Sequence, residues 1–170
     1  MTKVAFIGAG SWGTATASLV ARKPEHDAIL WARRPELAET INLYRENPEY
    51  LPDLRLPDEL SATNDLEEAL KDAEIVVMGV PSHGFRTVLK DVAAVAGAAP
   101  CYVSLTKGIE VEHRKRMSEV LEEEVEGITE SCIAVLTGPN LAKEVVRGDP
   151  AASTVACRDE TSARRLQDIF

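Results

Sequence analysis

The sequence predicts a doubly wound, mostly parallel α/β sheet with helices on both faces. Two observations carry that expectation. Short apolar, β-branched runs alternate with amphipathic helical patterns along the whole chain, the order that builds successive βαβ units. The first such run, Val4 to Ile7, ends in three glycines at GxGxxG spacing, Gly8, Gly10 and Gly13, just before an Ala/Leu/Val-rich helical pattern from Ala15 to Ala21. Strand, tight turn and helix in that order form either a dinucleotide-binding fingerprint or only a close-packed βα turn; the first reading gives each glycine a task. Gly8 allows the sharp turn, Gly10 lets the backbone approach a pyrophosphate, and Gly13 lets the helix pack close on the strand. The N–H groups of Ser11 and Trp12 then face the ligand, at a helix N-terminus whose partial positive charge suits phosphate.

Ala28 to Trp31 is the second strand. Many NAD-binding units carry an acidic residue at its end, for the ribose 2′-hydroxyl. Here Arg33 and Arg34 follow instead. They either hold a 2′-phosphate, which leans the sequence to NADP(H) over NAD(H), or are solvated charges at a helix start. Pro35 opens a helix with Leu37, Ile41 and Tyr44 on one buried face. Residues 47–57 hold three prolines and no clean period, and read as an ordered loop that carries function. Ser61 to Thr63 reads as a short strand, and Asn64 with Glu67 as a capping-box start for the next helix.

Glu74 to Val80 is a continuous buried run typical of a parallel sheet. Ser82 then caps a helix with Phe85, Val88, Leu89 and Val92 on one face. Phe85 is either core or a wall of a nicotinamide pocket. Further strands are expected at Cys101 to Leu105, Ile133 to Leu136 and Ala152 to Ala156. Helices are expected around Met117 to Leu121, at Leu141 to Val146, and from Thr161 onward. The last helical pattern is still amphipathic at Phe170, which reads as an N-terminal portion of something longer.

Composition narrows the function classes. The 170 residues are 45% hydrophobic and 28% charged, an ordinary globular make-up that suffices for a sizeable core. No apolar run approaches roughly 18 residues, and no basic segment precedes an apolar one, so neither membrane insertion nor a signal peptide is expected. A net charge of -9 repels a polyphosphate backbone and argues against nucleic acid. Cys101, Cys132 and Cys157 are widely spaced in apolar runs and read as small core residues of a cytoplasmic protein. The three histidines fall in separate segments without ligand spacing, no cysteines pair closely, and no GxSxG elbow occurs. Neither a metal site nor a serine-hydrolase triad is expected.

In a parallel sheet the loops at strand carboxyl ends converge on one rim. Lys107, between Thr106 and Gly108, brings a positive charge there, to a nicotinamide and its substrate or to solvent. In Gly138-Pro139-Asn140 the proline rigidifies a turn that either holds a phosphate or hydroxyl or is simply a turn.

Taken together, four stretches make the chain resemble the N-terminal domain of bacterial NAD(P)-dependent glycerol-3-phosphate dehydrogenases over nearly all its length. They are Gly8-Ala9-Gly10-Ser11-Trp12-Gly13-Thr14-Ala15, Val80-Pro81-Ser82, Leu105-Thr106-Lys107-Gly108-Ile109-Glu110, and Thr137-Gly138-Pro139-Asn140-Leu141-Ala142-Lys143-Glu144. The resemblance implies a Rossmann-like NAD(P)-binding domain over residues 1–170. The implied reaction is reversible hydride transfer between NAD(P)H and dihydroxyacetone phosphate, giving sn-glycerol 3-phosphate for phospholipid synthesis in the cytoplasm. It also implies cofactor contacts from Ser11, Trp12, Arg33, Arg34, Tyr50, Lys107 and Ala142 beside the glycine turn. Substrate contacts are implied for Lys107, Gly138 and Asn140; many members have serine or threonine where this chain has Asn140.

The family's general acid/base lysine and its helical C-terminal domain, through which a homodimer would form, are expected beyond Phe170. The isolated chain is accordingly expected to bind nucleotide with little or no turnover. The competing readings are another two-domain NADP-dependent hydroxyacid or ketoacid reductase, and a non-catalytic dinucleotide sensor.

Overall fold

The computed structural model describes residues 1–170. The chain opens with β1 (Thr2–Ile7), α1 (Ser11–Ala21), β2 (His26–Trp31) and α2 (Pro35–Tyr44), then makes a small hairpin of β3 (Glu46–Asn47) and β4 (Leu51–Arg55). It continues with β5 (Ser61–Thr63), α3 (Leu66–Leu70), β6 (Ile75–Met78), α4 (Ser82–Ala96) and β7 (Cys101–Ser104). A second small hairpin, β8 (Ile109–Glu110) and β9 (Lys115–Arg116), leads into α5 (Met117–Glu124). The chain closes with β10 (Ile133–Thr137), α6 (Ala142–Arg147), β11 (Thr154–Cys157) and α7 (Glu160–Ile169).

Seven strands form one sheet in the order β11-β10-β7-β6-β1-β2-β5. All neighbours run parallel except β10 and β11. The expected doubly wound, mostly parallel sheet is therefore present. Alternation along its central strands divides the core in two. Val4, Phe6, Ile75 and Val77 face α1, α2, α6 and α7, while Ala5, Ile7, Val76 and Met78 face α3, α4 and α5. With apolar side chains needed on both faces, β6 reads as an unbroken apolar run, and all four of its residues are fully buried. Each such side chain contributes roughly 1.5–3 kcal/mol by leaving water, so one charged replacement at Val77 would break the sheet at its centre.

Several local expectations are corrected. Residues 47–57 are not a loop throughout: the β3–β4 hairpin runs through them, with a register shift at Glu46/Asn47. Pro52, which has no N–H, and Asp53, at φ +65°, break the alternation that would have marked the strand. The β8–β9 hairpin is too short to show a period. Asp65 rather than Asn64 caps α3, accepting from the N–H groups of Glu67 and Glu68 at 2.9 and 3.3 Å. The Asn64 carbonyl instead accepts from the Trp31 indole.

Pro81 occupies the cap position of α4, and Ser82 is its first helical residue. Tyr44 lies 65% exposed because α2 ends there and Arg45 turns left-handed at φ 57°. The three cysteines are half-buried rather than core residues. Cys101 and Cys132 sit side by side at the amino ends of β7 and β10. Burial, followed by the neighbouring Cys132 thiol, pushes the Cys101 thiol up to about 12.

Candidate functional site

From β1 the chain winds to one side of the sheet, through β2 and β5, and from β6 to the other, through β7 and β10. The carboxyl ends of β1 and β6 therefore flank the crevice where such sheets bind ligands. The glycines divide the work there. Gly8 sits at φ +114°, and a Cβ on it would meet the Gly79 carbonyl oxygen at 2.9 Å. A Cβ on Gly13 would lie 2.1 Å from the Gly8 carbonyl oxygen, whereas one on Gly10 would have nothing within 4 Å. Gly8 and Gly13 thus let the turn close on itself, and Gly10 leaves its outer side open. The N-cap of α1 is Gly10, so no side chain competes for the N–H groups of the first turn, which have no intrahelical acceptor.

The β3–β4 hairpin is fastened to this turn. Asn47 is fully buried, and its Nδ2 donates to the Ala9 carbonyl and to Thr14 Oγ1, both at 2.9 Å. The Ser11 hydroxyl donates to the Tyr50 carbonyl, also at 2.9 Å. These contacts bring Glu49 and Tyr50 beside the start of α2. There the Glu49 carboxylate accepts from the Arg34 guanidinium. The Arg34 hydrogen bond holds the Glu49 carboxyl below its ordinary value, and Glu49 in turn raises the Tyr50 phenol.

On the far side of the crevice Thr106 Oγ1 donates to the Val80 carbonyl at 2.6 Å, joining the ends of β6 and β7. Lys107 follows, exposed and without a carboxylate partner. The chain beyond it is clamped to α4, where Arg86 Nε and Nη2 donate to the two Glu110 oxygens at 2.6 and 2.8 Å. Arg86 also reaches Glu123 and Glu124.

Between these walls lies a cleft of about 800 Å³. Gly8, Gly10, Ser11, Trp12, Arg33, Arg34, Tyr50, Lys107, Asn140 and Ala142 line it. Gly13 lies behind the turn, and Gly138 is outside the lining, in a tight turn where a Cβ would stand 2.6 Å from the Ala152 carbonyl oxygen. The Asn140 amide donates to that carbonyl and to the Ser153 hydroxyl. Phe85 is fully buried between α4 and the sheet, in the core and not in the cleft.

The charge of the lining is one-sided. It holds Arg33, Arg34, His83 and Lys107 and no aspartate or glutamate. The N-termini of α1, α2, α4 and α6 also open onto it through Ser11, Arg34, Ser82 and Ala142, adding partial positive charge. Such a cleft can hold an elongated anion with two or more phosphate groups. No group of three His, Cys, Asp or Glu side chains converges as a metal-ligand set, and no helix is long and apolar enough to cross a membrane. Sequence reasoning missed Thr14, Asn47, Glu49, Arg86 and Glu110. Thr14 and Arg86 lie in helical segments and Asn47 and Glu49 in one without a period, and nothing local in either marks the distant partner.

The sequence pattern of the family described as NAD-dependent glycerol-3-phosphate dehydrogenase N-terminus matches residues 3–163. A curated NAD(P)+ glycerol-3-phosphate dehydrogenase of Thermobifida fusca is 47% identical over 169 residues, covering 99% of this chain and 50% of that protein. Among solved structures, a glycerol-3-phosphate dehydrogenase from Coxiella burnetii superposes with a TM-score of 0.89 at 29% identity, covering 99% of this chain and 50% of that one. The yeast enzyme from Saccharomyces cerevisiae gives 0.85 at 30% identity, with 99% and 53% covered. The chain spans about half the length of the curated relatives it matches.

Proposed function

Since this chain belongs to the NAD-dependent glycerol-3-phosphate dehydrogenase family, we propose that it is the cofactor-binding part of an oxidoreductase acting on glycerol 3-phosphate. The reaction is reversible hydride transfer between NAD(P)H and dihydroxyacetone phosphate. The observation that carries this reading is the sign of the cleft. In a chain of net charge -9, the lining has three cationic side chains, Arg33, Arg34 and Lys107, and no carboxylate of its own, with Glu49 reaching only Arg34 from outside it. Both the dinucleotide and the ketone phosphate are anions, and a basic cleft in an acidic protein draws them to one place.

The residues present fit the cofactor. Gly10 leaves space where a pyrophosphate would lie, the N–H groups of Ser11 and Trp12 donate to it, and Arg33, Arg34 and Tyr50 take the adenosine side. Ala142 meets the cofactor from the N-terminus of α6. When bound, the nicotinamide supplies or accepts the hydride. Lys107 sets its ammonium against the substrate phosphate or the oxygen that gains negative charge, a kind of interaction typically worth about 10²–10³ in rate. Gly138 and Asn140 shape the substrate end of the rim. In this reading the proton comes from a lysine outside residues 1–170, so the chain alone binds nucleotide with little or no turnover. Arg33, which has no carboxylate partner, favours NADP(H) over NAD(H).

The test is the initial rate of NADPH oxidation, with and without dihydroxyacetone phosphate, by the protein carrying this chain at the length of its relatives. A rate that depends on the ketone phosphate supports the reading. Nucleotide binding with no such dependence removes the substrate and leaves the cleft.

A further inference from the structure

The end of β2 lacks the acidic residue that usually meets an adenosine ribose, yet a carboxylate reaches the same corner from another element. Glu49 lies in the turn of the β3–β4 hairpin, 15 residues from Arg34 in sequence but paired with it in space. Arg34 is also the N-cap residue of α2, so its backbone is fixed at the rim of the cleft. The hairpin turn is fixed too. Buried Asn47 fastens it to Ala9 and Thr14, and the Ser11 hydroxyl fastens it at Tyr50. Glu49 therefore stands at a set place beside the adenosine corner, bonded to Arg34. Arg33, its neighbour, has no such partner.

Resting on the dinucleotide reading above, we propose that Glu49 sets the ratio of NADPH to NADH binding. It holds Arg34 in a pair that a 2′-phosphate must break and a 2′-hydroxyl need not. A phosphate monoester carries close to two negative charges at neutral pH. To use Arg34 it must displace the Glu49 carboxylate and then lie near that carboxylate's own charge. Arg34 and Glu49 are 51% and 47% exposed, so their pair is screened and can be broken, which makes Glu49 a bias and not a block. A 2′-hydroxyl brings no charge and meets no such opposition. Arg33 alone then supplies the uncontested attraction for a 2′-phosphate, and the site accepts both nucleotides.

The chain has two tryptophans, Trp12 and Trp31, and both line the cleft, so their fluorescence reports nucleotide binding. Titrating the chain and its Glu49→Gln variant with NADPH and NADH tests the proposal. Glu49→Gln keeps the side-chain shape and a hydrogen-bond acceptor but removes the charge. The NADPH-to-NADH affinity ratio is expected to rise about two- to fivefold, the size of an exposed charge pair, and more at low salt than at high. Adding Arg34→Gln should return the ratio to or below its starting value. An unchanged ratio in Glu49→Gln, or a gain that survives Arg34→Gln, would overturn the role of Glu49 while leaving dinucleotide binding in place. Failure of the unsubstituted chain to bind either nucleotide would overturn the dinucleotide reading and this proposal with it.

Discussion

Gly13 lies so close to Gly8 that a Cβ on it would stand 2.1 Å from the Gly8 carbonyl oxygen. That oxygen belongs to backbone just after β1, tied by the Gly8 N–H to the Trp31 carbonyl of β2 and packed on Gly79, so it has little room to yield. Gly13→Ala must push α1 away from the sheet, and overpacking of this kind costs about 1–3 kcal/mol, or a Tm lower by about 3–10 °C. Gly10→Ala meets nothing within 4 Å and should melt like the parent. Its methyl group would occupy the approach of a pyrophosphate, and NADPH affinity should fall about tenfold or more. Thermal melts and nucleotide titrations of the two variants separate the structural glycine from the binding one.

Asn47 links the hairpin to the glycine turn through a fully buried amide. Asn47→Ala leaves the Ala9 carbonyl and the Thr14 hydroxyl without that donor, at a cost of about 1–3 kcal/mol. Because the same contact places Tyr50, nucleotide affinity should fall as well. Denaturant unfolding measures the first effect and fluorescence titration the second.

Lys107 is exposed and touches no carboxylate, so Lys107→Met should leave Tm unchanged. In the protein at the length of its relatives, the same change should lower kcat/KM for dihydroxyacetone phosphate by about 100-fold, the usual size for removing a charge placed to stabilise a transition state. Steady-state kinetics beside a thermal melt distinguishes this from a general loss of folding.

Acid should loosen the clamp behind Lys107. The Arg86 guanidinium, with His113 adding to it, holds the Glu110 carboxyl well below its usual value, at about 2. A carboxyl whose folded value is depressed contributes stability that is complete above its ordinary value of 4.5 and is lost as pH falls from there towards about 2. Tm should therefore drop through that window in the parent protein. Glu110→Gln should be less stable at neutral pH and show a flatter fall, which melts at successive pH values would read directly.

The layered sheet and the glycine turn were legible in the sequence because both are local. A buried parallel strand must be apolar on two faces, as Ile75 to Met78 are. A turn that approaches a phosphate must lack side chains at fixed spacing, as Gly8, Gly10 and Gly13 do. Elements with a period were found nearly at their bounds. Those two or five residues long, such as β8 and α3, were missed or shifted because too few side chains are present to declare a period or a cap.

What only the tertiary structure decided is which charges are already taken. Asn47 meets Ala9 and Thr14 across 38 and 33 residues, Arg86 meets Glu110 across 24, and Arg34 meets Glu49 across 15. No periodicity records such pairings, since they depend on where the sheet brings separate loops together. Nothing in the sequence says which of Arg33 and Arg34 meets a carboxylate. The fold makes them unequal, because the hairpin fastened to the glycine turn carries a carboxylate to Arg34 and leaves Arg33 open.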